Sequence, residues 1–304
     1  MTANLRAGVI GAGVFGGYHA AKYAELPATT LTAILDRHPE RARDLAARYS
    51  AGAIEDLPGF LAEVDVVSIA TPAVHHGALA LAALRAGKSV YVEKPIAVVP
   101  EDADAIIAEA RSGGLVAACG FLERAAFAAL GLYAIPRAPL RLECVRIGPA
   151  SPRNLDVSVV MDLMIHDLDL ALRLATAEPL AVEAEGACAD NPSLDQAQAE
   201  VSFEDGFQAS FRASRVADHR ERSLRLVYRE GEVRLDLLTH TLENSTPWPL
   251  DAGFEASPAG RDKLGASLAA FLAAVRGEGE PLADAVDGAR ALDLALAVEQ
   301  AVEG

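Results

Sequence analysis

Residues 1–120 alternate between short apolar runs and longer amphipathic stretches. Nearly continuous apolar runs of this kind are typical of interior parallel strands, and the amphipathic stretches between them are typical of helices. The predicted strands are Leu5–Ile10, Thr30–Leu35, Val64–Ala70, Ser89–Val92 and Leu115–Cys119. The predicted helices lie between them, at 17–26, 39–49, 76–87 and 100–112. A regular alternation of strand and helix predicts an α/β fold with a doubly wound parallel sheet.

Residues 121–304 follow a different pattern, in which strands are joined by short glycine turns. Hairpin-linked strands indicate an antiparallel sheet, because a tight turn reverses the direction of the chain. Predicted strands cover 140–147, 180–189, 198–204, 207–214, 223–229 and 232–236, and predicted helices cover 122–132, 156–174, 263–276 and 285–302. The length of 304 residues favours two domains. We therefore predict one domain over 1–120 and a second α/β domain over 121–304, with a mostly antiparallel sheet.

The predicted helix Asp156–Leu174 carries a narrow polar stripe on an otherwise apolar surface. A helix that is apolar nearly all round is buried, so its polar groups need partners. Asp162 and His166 are four residues apart, a spacing that brings their side chains together. One interpretation is a structural pair in the core, with Asp169 and Arg173 as a second pair. The other is that His166 exchanges a proton with a substrate hydroxyl while Asp162 orients the imidazole.

A glycine motif follows the first predicted strand and opens the first predicted helix. It reads G-x-G-x-x-G, with Gly11, Gly13 and Gly16 at the glycine positions and Val14 and Phe15 between the last two. In this context the first glycine permits a tight turn, the second lets the backbone approach a pyrophosphate, and the third lets helix and strand pack closely. The free N–H groups of the helix N-terminus would then face the phosphates.

Asp36 ends the second predicted strand, about twenty residues after the glycines. An acidic residue there can accept hydrogen bonds from the adenosine ribose diol, and its charge would repel a 2'-phosphate. This favours NAD over NADP. The neighbouring Arg37 keeps NADP open, because an arginine at this position can bind a 2'-phosphate.

Four candidate residues follow four different predicted strands: Gly11, Asp36, Thr71 and Lys94. Ligands of doubly wound sheets bind beyond the carboxyl ends of the strands, so these positions predict one common site. Lys94 lies between Glu93 and Pro95. There it could donate a hydrogen bond to a substrate hydroxyl and stabilise developing negative charge.

Composition narrows the class of partner. The formal net charge of -16 and a pI near 4.8 argue against a nucleic-acid partner, which would need clustered positive charge. The three cysteines are far apart without metal-ligand spacing, so we expect no metal site and small buried thiols in a reducing compartment. No apolar run is long enough for a membrane span, and the first apolar run enters a glycine turn. We expect a soluble cytoplasmic protein.

Four arginines are candidates for binding a diphosphate, because a planar guanidinium matches phosphate geometry. They are Arg124, Arg146, Arg153 and Arg215. Each could equally be a surface residue that pairs with one of the many acidic side chains. We prefer Arg124 and Arg153 as substrate-binding residues, since each lies beside a predicted edge of the cleft.

The segments GAGVFG, TPAVHH and GKSVYVEKP, together with the Asp162-x-x-x-His166 helix, resemble the glucose-fructose oxidoreductase / inositol dehydrogenase (Gfo/Idh/MocA) family. The resemblance implies an N-terminal Rossmann domain, a C-terminal domain for substrate binding and oligomerisation, and a homodimer or homotetramer. It also implies a cis peptide bond before Pro95 and a catalytic set of Lys94, Asp162 and His166. The implied cofactor-lining residues are Thr71, Pro72, His76, Glu93 and Lys94.

Three further segments resemble the branch of this family that oxidises the 3-hydroxyl of UDP-N-acetylglucosamine. They are CVRIGPASPRNLDVSVVMDLMIHDLDL, SFEDGFQASFRASRV and HRERSLRL. The branch usually carries a Glu-Arg-Phe-Asn-Pro segment, of which this chain keeps Glu123 and Arg124. The hypothesis is therefore an NAD-dependent dehydrogenase of a nucleotide sugar. A dehydrogenase of a free cyclitol or monosaccharide and a non-catalytic NAD-binding sensor are the alternatives.

Overall fold

A computed structural model of the chain describes residues 4–150, 157–189 and 193–303. Its contacts divide the chain into two compact units, Met1–Leu122 with Asp262–Ala289, and Glu123–Arg261 with Arg290–Gly304. The predicted division into 1–120 and 121–304 stays a proposal, and it differs from these units in the placement of 262–289. The reason is physical: Leu268 and Phe271, on a late helix, are fully buried in the core of the first unit.

The first unit contains a six-stranded sheet whose strands are all parallel. The strands are β1 (Leu5–Ile10), β2 (Thr29–Leu35), β3 (Gly52–Ile54), β4 (Val66–Ile69), β5 (Ser89–Val92) and β6 (Ala117–Cys119). Their order is β3-β2-β1-β4-β5-β6. This order confirms the predicted doubly wound sheet, and it reverses direction between β1 and β4, where such sheets bind ligands.

Helices α1 (Val14–Glu25), α2 (Pro39–Tyr49), α3 (Leu57–Ala62), α4 (His76–Arg85) and α5 (Pro100–Gly113) connect these strands, and a 3₁₀ turn, Ala73–His75, precedes α4. The strands β4 and β5 are completely buried, as their continuous apolar runs predict. Tyr23 on α1 and Tyr91 on β5 are both buried. The Tyr91 ring packs edge-on against Phe271, with 5.8 Å between the ring centroids.

The second unit contains a seven-stranded sheet that is mostly antiparallel, as predicted. Its strands are β7 (Arg141–Ile147), β8 (Pro179–Ala187), β9 (Gln196–Phe203), β10 (Gln208–Ser214), β11 (Glu221–Tyr228), β12 (Gly231–Asp236) and β13 (Thr241–Asn244). Their order is β13-β12-β11-β7-β10-β9-β8. The central pair, β7 and β10, is the parallel exception, because a long connection rather than a hairpin joins these strands.

One face of this sheet is buried. Along β7 the even-numbered residues Leu142, Cys144 and Arg146 are buried, whereas Glu143 and Val145 are only half-buried. This alternation is the two-residue period of a strand with one covered face.

The burial of Cys119 and Cys144 agrees with prediction. Cys188, just after β8, is exposed, so the expectation of three buried thiols is wrong for that residue.

The remaining helices are α6 (Glu123–Leu130), α7 (Ile165–Leu174), α8 (Pro258–Arg261), α9 (Lys263–Val275) and α10 (Ala285–Glu303), with 3₁₀ turns at Leu132–Ala134 and Phe254–Ala256. A π-helical turn, Val160–Met164, leads into α7, and the N–H of Ile165 donates to the carbonyl of Val160 five residues earlier. Within the described part of the chain, no helix combines the length and the apolar character needed to cross a membrane.

Candidate active site

The glycine turn between β1 and α1 is shaped as the motif predicts. Gly11 has a φ of +101°, and a Cβ there would overlap the carbonyl of Ala70. A Cβ on Gly16 would overlap the carbonyl of Gly11, whereas one on Gly13 would meet nothing within 4 Å. Gly11 and Gly16 are thus required by the fold itself. Gly13 leaves open space at the start of α1, where no side chain caps the helix.

Asp36 follows β2 and its carboxylate is held by two backbone N–H groups. Oδ2 accepts from the N–H of Ala12 at 2.6 Å, and Oδ1 accepts from the N–H of His38 at 2.8 Å. The side chain is half-buried, while Arg37 is exposed and donates to the His38 ring at 3.1 Å. A carboxylate has about four lone-pair sites, so Asp36 keeps acceptor capacity for a ribose diol.

These residues fit a dinucleotide. The space beside Gly13 and the uncapped N-terminus of α1 suit a diphosphate, because the free N–H groups there favour an anion. Val14 and Phe15, at the first turn of α1, are 52% and 45% exposed. They remain proposed cofactor contacts, as do Asp36 and Arg37.

His76 joins the ends of β4 and β5 through backbone carbonyls. Its Nδ1 lies 2.7 Å from the carbonyl oxygen of Pro95, and its Nε2 lies 3.0 Å from that of Thr71. The imidazole is 1% exposed, and burial lowers the pKa of His76 although both carbonyls act to raise it. From its buried position, His76 therefore holds the loop after β4 and the loop after β5 in place. Thr71 is half-buried and Pro72 is exposed.

The residues that precede Pro95 are anchored differently. Glu93 is 8% exposed, and its Oε1 lies 2.9 Å from Nε2 of His19. His19 Nδ1 lies 2.9 Å from Oγ of Ser68, which also contacts the hydroxyl of Tyr23 at 2.8 Å. This buried network holds Glu93 in the interior and leaves Lys94, the next residue, half-buried. The Lys94–Pro95 peptide bond is cis, as the family resemblance implies.

In the second unit, His166 lies in the first turn of α7 beside a carboxylate from α6. Its Nδ1 is 2.9 Å from Oε2 of Glu123, and its side chain is 14% exposed. Helical spacing predicts that Asp162 orients the imidazole of His166. The π-helical turn Val160–Met164 interrupts the 3.6-residue period on which that assignment depends. The structure thus places Glu123 at Nδ1, and the role of Asp162 remains a proposal.

Glu123 is shared between His166 and a buried arginine. Arg146 donates to Glu123 Oε1 at 3.0 Å and makes a bidentate pair with Asp167 at 2.7 and 3.1 Å. Burial by itself raises the pKa of Glu123, but the charges of His166 and Arg146 outweigh it and hold the pKa well below its usual range. Glu123 is therefore a carboxylate at neutral pH. Sequence reasoning missed this residue as a partner of His166, although Glu123 opens the branch-like Glu-Arg segment.

Arg124 forms a second buried ion pair. Its Nε and Nη2 donate to the two oxygens of Asp169 at 2.9 and 2.6 Å, and both residues are at most 5% exposed. This pairing weighs against the predicted role of Arg124 in binding a diphosphate. It also corrects the predicted pair of Asp169 with Arg173, since Arg173 is exposed and lies over the Tyr133 ring at 5.4 Å.

Two of the other arginine candidates are also paired with buried carboxylates. Arg215 is 6% exposed and donates to Asp195 at 2.7 Å, to the carbonyl of Val157 and to Ser193. Arg146 is committed to Glu123 and Asp167, as described above. Arg153 lies outside the described residues. Among the residues that the structure describes, no cluster of three or more His, Cys, Asp or Glu side chains could hold a metal ion.

Comparison with known proteins identifies the family. Residues 5–121 match the model of the GFO/IDH/MocA oxidoreductase family with an NAD-binding Rossmann fold, and residues 149–234 match the model of the GFO/IDH/MocA C-terminal domain. UDP-N-acetylglucosamine 3-dehydrogenase of Acidithiobacillus ferrooxidans is 39% identical over 99% of this chain and 98% of its own. Scyllo-inositol 2-dehydrogenase (NAD(+)) of Bacillus subtilis is 27% identical over 79% of this chain and 76% of its own.

Solved structures agree with the sequence comparison. A structure of the same Acidithiobacillus ferrooxidans enzyme superposes with a TM-score of 0.91 at 38% identity, covering 100% of this chain and 99% of the other. The WlbA dehydrogenase of Bordetella pertussis, solved with NADH and UDP-GlcNAcA, has the same fold, with a TM-score of 0.90 at 20% identity over 100% and 96% of the two chains. The chain belongs to the GFO/IDH/MocA family of oxidoreductases, whose N-terminal part is an NAD-binding Rossmann fold.

Proposed function

We propose that this NAD-dependent oxidoreductase oxidises the 3-hydroxyl of UDP-N-acetylglucosamine or of a closely similar nucleotide sugar. The observation that carries the proposal is the similarity to a UDP-N-acetylglucosamine 3-dehydrogenase, 39% identical over 99% of the chain. That similarity includes the second unit, which contains the proposed proton acceptor. The similarity to an inositol dehydrogenase is weaker, with 27% identity over 79% of the chain.

His166 is the proposed general base. Because Glu123 is ionised and lies 2.9 Å from Nδ1, we assign the proton of the neutral imidazole to Nδ1, which leaves the lone pair of Nε2 for the substrate. Nε2 then takes the proton of the substrate hydroxyl, and Glu123 stabilises the imidazolium that forms. Lys94 is proposed to donate a hydrogen bond to the reacting oxygen, and Asp162 to assist the proton transfer.

The cofactor contacts are proposed from the first unit alone. The backbone at Gly11, Gly13 and Gly16 would hold the diphosphate, and Asp36 would accept from the ribose diol, which favours NAD. Bound NAD would supply the hydride acceptor for the oxidation of the carbinol carbon. Thr71, Pro72, His76 and Glu93 shape the loops around Lys94.

A free cyclitol or monosaccharide is the second candidate substrate. It is favoured by one observation, the commitment of Arg124, Arg146 and Arg215 to buried carboxylates. Three guanidinium groups that could have bound a diphosphate already neutralise acidic side chains. A substrate without phosphate would not need them.

A substrate panel separates these candidates. UDP-N-acetylglucosamine, UDP-glucose, free N-acetylglucosamine and myo-inositol are each supplied with NAD, and NADH formation is followed by absorbance. The proposal expects the highest kcat/KM for UDP-N-acetylglucosamine and a product ketone at C3, identified by NMR. Turnover of myo-inositol or the free sugar at higher kcat/KM would contradict it.

Two further expectations belong to the proposed function. We propose that the protein works in the cytoplasm and forms a homodimer or homotetramer through its second unit, as the family resemblance implies. Size-exclusion chromatography with light scattering of the purified chain measures its mass in solution. A monomer at micromolar concentration would contradict the proposed assembly.

A further inference from the structure

An arginine on β11 faces the same side of the sheet as the His166 cluster. Arg222 pairs with Arg146 across the antiparallel strands β11 and β7. Directly opposite residues project from the same face, with Cβ atoms about 5 Å apart. Arg146 reaches from that face to Glu123 and Asp167, and Glu123 contacts His166. Arg222 is therefore placed beside the cluster of Arg146, Glu123 and Asp167, of which Glu123 contacts the proposed proton acceptor.

Arg222 differs from its neighbours in having no partner among residues 4–150, 157–189 and 193–303. Among the described residues, none makes a hydrogen bond or ion pair with its guanidinium, although Arg124, Arg146 and Arg215 are all paired with carboxylates. This is unusual in a chain of net charge -16, where acidic side chains are in excess. Arg222 is exposed, so its guanidinium can meet a ligand.

A second cation lies next to it. Arg220, two residues earlier, packs its side chain against Gly148, which directly follows β7, and it too is exposed and has no described partner. Partial shielding of the guanidinium from water and the charges of Arg146 and Arg220 lower the pKa of Arg222, while Glu123 and Asp167 raise it. These couplings place the other four charged groups within electrostatic reach of Arg222.

Like charges opposite each other on a sheet destabilise it. Arg146 has its charge neutralised by Glu123 and Asp167, but nothing in the described structure neutralises Arg222. A bound anion would do so. A guanidinium fork suits phosphate oxygens better than any other cationic side chain does.

We propose that Arg222, assisted by Arg220, binds the diphosphate of the nucleotide-sugar substrate and thereby separates such substrates from free sugars. The proposal rests on the proposed function and supplies the phosphate-binding residues that the buried arginines do not provide. It assigns Arg222 to specificity and leaves proton transfer to His166.

The test compares Arg222→Ala with a matched control on the same strand. Arg225 faces the opposite side of the sheet and pairs with Glu143 and Glu232, so Arg225→Ala removes an equal charge away from His166. Binding of UDP is measured by isothermal titration calorimetry, which needs no turnover. We expect Arg222→Ala to weaken UDP binding by about 10- to 100-fold, Arg222→Lys to weaken it less, and Arg225→Ala to leave it unchanged.

Kinetics and stability complete the test. The KM for UDP-N-acetylglucosamine should rise in Arg222→Ala with kcat within about threefold of wild type. The thermal midpoint should not fall, because Arg222 makes no ion pair or hydrogen bond with the described residues. Equal UDP affinity in wild type and Arg222→Ala would overturn this proposal and leave the proposed function intact. If the wild-type protein does not bind UDP, both proposals are overturned.

Discussion

His166 Nδ1 lies 2.9 Å from Glu123 Oε2, and this contact joins the first turn of α7 to the first turn of α6. Glu123 is in turn bound by the buried Arg146. The pair favours this direction of the imidazole, because turning Nδ1 away would leave the partly buried carboxylate of Glu123 with one partner fewer.

Replacing His166 tests its proposed role as proton acceptor. General-base catalysis contributes about 10²–10⁴-fold, so we expect His166→Ala to lower kcat by that factor. Binding of NAD depends on the first unit and should survive, as measured by titration of protein fluorescence or by calorimetry. A variant with wild-type kcat would remove His166 from the mechanism.

Replacing Glu123 with glutamine removes its charge and keeps its shape. We expect kcat to fall by about tenfold or more, since the imidazolium loses its counter-charge. Asp162→Asn is the matched comparison, because Asp162 was the residue that helical spacing had assigned to this role. A larger loss in Asp162→Asn than in Glu123→Gln would return the orienting role to Asp162.

Glu123 also predicts a pH dependence of stability. Its pKa is lower in the folded chain than its usual 4.5, so its contribution to stability is complete above pH 4.5 and disappears as pH falls towards the folded value. Glu123→Gln should therefore reduce the free energy of unfolding at pH 7 by about 2 kcal/mol, a typical contribution of a hydrogen bond to a charged group. The difference from wild type should shrink below pH 4.5, as measured by urea unfolding at several pH values; a constant difference would contradict it.

The pair of Arg124 and Asp169 predicts a stability effect instead of a substrate effect. Arg124→Met leaves the buried carboxylate of Asp169 without the bidentate donor, which should cost about 3–5 kcal/mol of unfolding free energy. Arg124→Met combined with Asp169→Leu should recover most of that loss, because neither charge of this pair then remains buried. Urea unfolding measures both. A stable Arg124→Met variant with a strongly raised KM would restore the predicted phosphate-binding role of Arg124.

Two glycines of the turn after β1 should respond in opposite ways to the same substitution. Gly16→Ala places a Cβ against the Gly11 carbonyl, so the folded protein should be destabilised. Gly13→Ala meets open space, so stability should be retained while the Kd for NAD increases, because the added methyl group occupies the path of the diphosphate. Gly17→Ala, also open, is the control for both. Unchanged NAD affinity in Gly13→Ala would place the diphosphate elsewhere.

The sequence predicted the parallel sheet well because its central strands, β4 and β5, are buried on both faces. The run Val66–Ile69 is apolar except for Ser68 and is buried throughout, and the glycine turn has a motif with a specific backbone requirement at Gly11. The short strand β3 was missed, since its three residues are only partly covered and have no period to detect.

The candidate site was predicted less completely, and the reason is that its contacts join distant segments. Helical spacing can suggest that Asp162 meets His166, but it contains no information on Glu123, which precedes His166 by 43 positions and belongs to another helix. The same holds for Arg124: the sequence placed Asp169 on a buried helix, but helical spacing offered Arg173 as its partner, and Arg124 belongs to another helix. Arg222 lies in the branch-like segment HRERSLRL, but that resemblance gave it no role; only the strand register brings it beside Arg146.

The wide turn at Val160–Met164 has a consequence for the surface that α7 presents. An α-helix rotates by about 100° per residue, and a turn closed over five residues shifts the phase between the segments on either side. Deleting one residue there would restore a regular α-helix. The residues before the deletion would then be rotated by about 100° around the helix axis relative to His166. All the side chains of this helix would still be present, but those before the deletion would point in a different direction from His166. The chemistry of the helix therefore depends on the number of residues in this turn as well as on their identity.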